Sequence, residues 1–166
     1  EMEKSTISNR STKLFTLSSI KHASRALLKK QAREPVAEEE KMLAKEYWDA
    51  VADQIPDWRR AKDRTVSTAE LRQNFIHAHG VALQALGIAG ASLLSAKPKD
   101  WRSYIKKIRG IDWSRADTEF WEGRALSHGR VSKASANVQL TANVIKKKMG
   151  LTLTEEEKVL EKNFQG

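Results

Sequence analysis

The sequence predicts a mainly α fold, a compact bundle of about six to eight helices in orthogonal or irregular packing with little or no sheet. Three observations carry this reading. Apolar residues recur at helical spacing along most of the chain. Two Ser/Thr-x-x-Glu words, Ser67 with Glu70 and Thr154 with Glu157, have the form of capping boxes. The β-branched runs are too short to define a sheet.

Taken in order, Thr6 to Thr12 is polar and reads as loop. From Leu14 to Lys30, Leu17, Ile20, Leu27 and Leu28 mark a helix that Thr16 can cap, with Lys29 and Lys30 suiting its negative end. Pro35 is read as the start of the next helix, with Glu38 to Glu40 at its positive end. Leu43, Tyr47, Val51 and Ile55 form its apolar stripe, and it stops before Pro56. Ser67 opens the strongest predicted helix. Leu71, Phe75, His79, Ala82, Leu86, Ala89 and Leu93 follow one face of it. Gly80, Gly87 and Gly90 are costly inside a helix, which implies close approach of another backbone or a break near Gly87. The nearly uncharged stretch Val81 to Leu94 is the expected central core helix.

Pro98 starts a helix to about Arg109, with Trp101, Ile105 and Ile108 inward. Asp112 or Ser114 is the expected cap of a short helix at Phe120-Trp121. Gly123 to Arg130 reads as a loop pivoting at Gly129. Ser132 is the expected cap of a long helix to Met149, striped by Val138, Ala142, Ile145 and Met149 and stopped by Gly150. Thr154 then opens a terminal helix.

The 166 residues carry a net charge of +9, unevenly spread. Residues 35–54 are acidic at −4, residues 123–150 carry +6 with no acidic residue, and the last sixteen carry −2. A basic face can neutralise phosphates. The sharpest candidate is the turn and helix holding Arg124, Arg130, Lys133, Lys146 and Lys147, where Asn137 and Asn143 are candidate readers of base edges. A second patch is Lys97, Lys99, Arg102, Lys106, Lys107 and Arg109, interleaved with Trp101 and Tyr104. The opening Arg10 and Lys13 form a third. Each patch has a plainer reading as solvated surface, and Trp101 shares the core spacing of Ile105 and Ile108.

Catalytic chemistry lacks its usual words. With 0 Cys there is no thiolate nucleophile, thiolate metal site or disulfide. His77 and His79 are two apart and diverge on a helix. Neither phosphate-loop word occurs. The carboxylates around Trp113 and Trp121 read as caps and arginine partners. No enzyme activity, cofactor or metal is expected, and no apolar run is long enough for a membrane span.

The words Ser8–Leu17, His77–Gly80, Ile111–Arg115, Trp121–Arg124, Gly129–Val131 and Leu140–Lys146 resemble the C-terminal part of the DndB family of the bacterial DNA sulfur modification (phosphorothioation) system. The resemblance spans the whole chain. It implies a cytoplasmic bacterial regulator that binds double-stranded promoter DNA of the modification genes. It also implies a single helical domain over 1–166, with 1–13 a loose segment, partnered by its own N-terminal region. The DGQHR word of related proteins is absent and would lie upstream. The competing expectation is a structural or homo-oligomerisation domain whose Leu43–Ile55 stripe forms an interface.

Overall fold

The computed structural model describes residues 13–165, and among them it is a helical bundle with one two-stranded hairpin. Helices α1 (Leu17–Leu28), α2 (Glu38–Gln54), α3 (Pro56–Lys62), α4 (Thr68–Asn74) and α5 (Gly80–Ala96) come first. Then follow α6 (Trp101–Ile105), α7 (Thr118–Trp121), the hairpin β1 (Leu126–Ser127) and β2 (Arg130–Val131), α8 (Ser135–Lys148) and α9 (Glu155–Gln165). The nine α-helices of the described residues slightly exceed the expected number. No helix of the described residues is long and apolar enough to cross a membrane.

Helix α5 is the axis of the bundle. Val81, Ala82, Ala85, Leu86, Ala89 and Leu93 are all buried along it, so it is apolar all round rather than striped. Helices α1 and α8 flank it and run in its own sense. Gln84 donates to the Ser19 carbonyl, and Lys29 donates to Ser95 at the other end. On the far flank, Lys133 lies against Gly80 where both helices begin. The expected close approach of another backbone holds at Gly87, while at Gly90 the close neighbour is a side chain. A Cβ on Gly87 would sit 2.5 Å from the Ala23 carbonyl oxygen, and one on Gly90 would sit 2.4 Å from the Tyr47 ring. Tyr47 is buried and its hydroxyl donates to the Leu86 carbonyl at 2.6 Å. Burial pushes its pKa up and keeps it a neutral donor.

Several boundaries move. Thr16 caps α1 as expected, accepting from the Ser19 amide. Helix α2 begins three residues after Pro35, because Glu40 accepts from the Ala37 amide and fixes the start there. Its stripe faces inward, with Tyr47, Val51 and Ile55 buried in the chain's own core, which corrects the expectation that Leu43–Ile55 is an intermolecular interface. The long helix expected from Ser67 is two. Ser67 does cap α4, but the chain turns extended at Phe75 (φ −134°, ψ 139°) and again at His79. A strand-like exchange makes the break: the Ile76 amide donates to the Trp113 carbonyl and the Arg115 amide to the Asn74 carbonyl. Tertiary pairing overrides helical spacing here, and the break lies at Phe75–His79 rather than at Gly87.

Trp101, Ile105 and Ile108 are buried as expected. The short helix α7 is capped by Asp117, not by Asp112 or Ser114. The expected loop after Gly123 is a hairpin whose turn, His128 and Gly129, has positive φ at both residues (54° and 75°), the geometry that two-residue hairpins favour. The Glu122 carboxylate accepts from both turn amides. Ser132 does not cap α8. Its hydroxyl donates to Asn137, and α8 begins at Ser135 without a side-chain cap. Thr154 and Glu157 form the reciprocal capping box of α9.

The close approach at Gly87 gives a direct test. Gly87→Ala places a methyl against backbone that cannot rotate away, so the variant loses about 2–3 kcal/mol in urea denaturation. Ser92→Ala, in the same helix, changes stability by under about 0.5 kcal/mol. Equal stability of the two variants would show that α1 and α5 are not in backbone contact there.

Candidate nucleic-acid interface

The helix directions decide where the predicted basic residues go. Helix α8 has 14 residues, so its two ends lie about 20 Å apart at 1.5 Å per residue. Arg130 and Lys133 are at one end, and Lys146 and Lys147 are at the other. The segment read as one basic face is therefore two separate groups.

At the starting end, Arg130 follows the hairpin turn and is exposed, as is Lys133. Lys133 borders a groove of about 650 Å³ whose floor is α5 and whose walls are α1 and α8, lined by Ser18, His22, Gln84, Ser135 and Gln139. The sequence reading missed this groove. Its one legible sign was Gln84, a long polar side chain within the otherwise uncharged core helix.

At the other end, cations gather where α5 and α8 present their last carbonyls, the negative ends of their dipoles. Lys97 and Lys107 both stand over the Tyr104 ring, at 5.3 and 4.8 Å from its centroid. Lys148 lies against Gly110, and Lys107 reaches toward Gly150. Lys97, Lys107 and Lys148 are exposed, and none of them has a carboxylate partner among the described residues. Lys99 is exposed nearby in the turn before α6. Lys148 was not among the predicted contacts.

Other predicted residues are placed differently. Arg102 covers the Trp101 ring and pairs with Glu46 at 2.8 Å. Lys106 shares a cleft with Glu46, Asp49 and Asp53 of α2. Arg109 donates to the Asp53 carbonyl of the same helix. This face is one of mixed charge, so the expectation of a continuous basic patch over Lys97, Lys99, Arg102, Lys106, Lys107 and Arg109 is corrected to Lys97, Lys99 and Lys107. Lys13 is exposed, and its carbonyl accepts from Arg72 beside α4. Arg10 lies outside the described residues.

Four members of the 124–147 set are engaged inside the protein, which corrects their reading as surface contacts. Asn143 is fully buried and accepts from Gln139. Asn137 donates to the Gly123 and Arg124 carbonyls and pins the hairpin to α8. Lys146 is buried against Glu157 at 2.5 Å. Arg124 is buried and makes a two-pronged pair with Glu161, at 2.9 and 3.1 Å, while donating also to the Leu140 carbonyl. Lys147, half-exposed, joins the same Glu161 at 2.8 Å. The missing information was α9: its acidic first turn was legible, but its docking onto α8 was not.

These pairs set the titration. Burial alone would raise the pKa of Glu161, but hydrogen bonds from Arg124 and Lys147 outweigh it and hold the group below the ordinary carboxylate range. Glu157 is likewise raised by burial and lowered further by Lys146 and by the Thr154 amide. Among the described residues, no group of three or more His, Cys, Asp or Glu is placed to hold a metal ion. His77 turns to Asp57 at 3.2 Å and His79 to the Arg72 carbonyl at 2.7 Å, so the two histidines diverge.

A carboxylate held ionised in the folded state stabilises above its unfolded pKa and loses that contribution as pH falls through its folded value. The α8–α9 contact is therefore intact above about pH 4.5 and weakens below it. Hydrogen exchange across an acid series should show α9 amides losing protection before those of α5. Arg124→Met leaves Glu161 buried with only Lys147 beside it. That substitution costs about 3 kcal/mol, the low end for breaking a buried pair, read by denaturant titration. A cost under about 0.5 kcal/mol would mean the pair is effectively solvated.

Comparison with known proteins adds one match. The family model for DndB, described as DNA-sulfur modification-associated, matches residues 1–152. No curated protein matches the chain, and no solved structure matches it. The match covers the bundle through α8 and ends three residues before α9 begins. With most of its length under that one model, the chain belongs to the DndB family of DNA-sulfur modification-associated proteins.

Proposed function

We propose that this chain is a DNA-contacting regulatory domain of a phosphorothioation system, a binding rather than a catalytic module. The observation that carries the reading is the gathering of Lys97, Lys107 and Lys148 at the C-terminal ends of α5 and α8. Three like charges gather there, none of them in an ion pair among the described residues, and only Lys148 shares a cleft with carboxylates, those of Asp112 and Asp117. Their mutual repulsion is offset by the helix carbonyls and the Tyr104 face, and it is relieved further by a phosphate. Family membership supports DNA as the source of that phosphate. Arg130 and Lys133 supply a separate contact about 20 Å away, at the start of α8.

This reading alters how sequence would be recognised. Asn137 and Asn143 were the candidate base readers; Asn137 spends its amide on contacts inside the protein, and Asn143 is fully buried with its Oδ1 accepting from Gln139. The chain alone therefore holds the backbone of the duplex. Any choice of promoter would come from a further region of the regulator.

The test is a salt titration of binding to promoter and random duplexes, followed by anisotropy. Replacing Lys97, Lys107 and Lys148 with Ala lowers the slope of log K against log salt by about 2.7, at 0.9 per lost phosphate contact. Replacing Arg102 and Lys106, which face the carboxylates of α2, leaves the slope within about 0.5 of the parent. Promoter and random duplexes bind within about tenfold of each other, well short of the thousandfold or greater ratio of a self-sufficient specific binder. An unchanged slope in the triple variant would remove the proposed surface.

A further inference from the structure

Helix α9 is held to the body in an unusual way. Its inward stripe is Glu157, Glu161 and Phe164, at i, i+4 and i+7. All three residues meet cations. Glu157 takes Lys146, Glu161 takes Arg124 and Lys147, and the Phe164 ring lies 4.5 Å from the Arg124 guanidinium carbon. The only buried residue of α9 is Glu161, while Val159 is 56% exposed. Phe164 packs on Gly123, and Leu160 is partly buried, but the one fully buried side chain of the helix is a carboxylate.

The cations beneath α9 are three of the six in the acid-free stretch 123–150. Lys146 and Lys147 share the last turn of α8 with Lys148. A glutamate gripped by both prongs of an arginine fork and by a lysine is bound as a phosphate would be, since the fork matches either anion. Helix α9 also lies beyond the residues that the family model matches.

From this arrangement we infer that Arg124, Lys146 and Lys147 form a covered phosphate-binding subsite, which the α9 carboxylates occupy and which a nucleic-acid backbone enters by displacing α9. The inference rests on the duplex-contact reading above and extends it. Helix α9 is then a competitor built into the chain. It lowers affinity for any polyanion until enough phosphates arrive together to replace both of its carboxylates.

The unaltered 1–166 chain gives the test with a random-sequence duplex as the probe. Glu157→Gln with Glu161→Gln removes both stand-in anions. At 50 mM salt this variant binds the duplex about tenfold or more tightly than the parent, and its salt slope is steeper by about two to three. The control is Glu155→Gln with Glu156→Gln, the same change in net charge on two exposed residues that touch none of the three cations. It shifts affinity by less than about threefold. Equal gains in both variants would reduce the effect to net charge and overturn the covered subsite.

Circular dichroism checks the fold of each variant. Should the first unfold, hydrogen exchange on the unaltered chain decides. Residues 155–165 lose protection when duplex is added, and retained protection in the complex overturns the inference. Failure of the two readings is distinguishable. A parent that binds through Lys97, Lys107 and Lys148 while α9 stays protected keeps the duplex-contact reading and rejects the cover. A parent and variant that both fail to bind reject both.

Discussion

Everything in this bundle depends on how closely α1 can lie on α5. The Ala23 carbonyl sits where a Cβ of Gly87 would be, so the two backbones touch with no side chain between them. One turn further on, the absent Cβ of Gly90 leaves room for the Tyr47 ring, whose hydroxyl takes up the Leu86 carbonyl within the core. A helix that gives up propensity at these positions gains neighbours on all sides. Once α1, α2 and α8 are seated, the direction of α8 is set. That direction in turn separates its two ends and assigns each basic residue to its place.

Charge follows the same geometry. Cations sit at the carbonyl ends of α5 and α8, where the helix dipoles favour them. The acidic face of α2 neutralises Arg102 and crowds Lys106. The strongly basic stretch before residue 150 is answered by the acidic helix that follows it. A net charge of +9 thus does not describe a uniformly basic surface, since several of its cations are matched inside the protein.

Much of the fold was legible because its signals are local. Thr16, Ser67 and Thr154 cap their helices through atoms three residues away, and Gly150 stops α8 with a positive φ of 81°. Trp101 sits where the spacing of Ile105 and Ile108 places it. The larger errors come from partners distant in sequence. Phe75 leaves the helix because Trp113 and Ser114 pair with its neighbourhood. Lys146 looks like a surface group until Glu157 of α9 is brought over it. Arg124 reads as a turn cation until Glu161, 37 residues on, meets it. Charge composition located the basic segment but not which of its cations were already matched.

The shared sense of α1, α5 and α8 has a kinetic side. Helices that run the same way cannot be joined by a tight turn. The chain must travel through α2 to α4 before α5 reaches α1, and through α6, α7 and the hairpin before α8 arrives. Little of the central packing is then available to neighbouring segments alone, and loop closure must precede most of the gain in buried surface. During synthesis, the apolar α5 emerges some forty residues ahead of the helix that covers its second flank, an interval of several seconds at ordinary elongation rates. The most hydrophobic helix of the protein is thus the one that waits, and nascent chains of this domain would be clients for chaperones that bind exposed apolar segments.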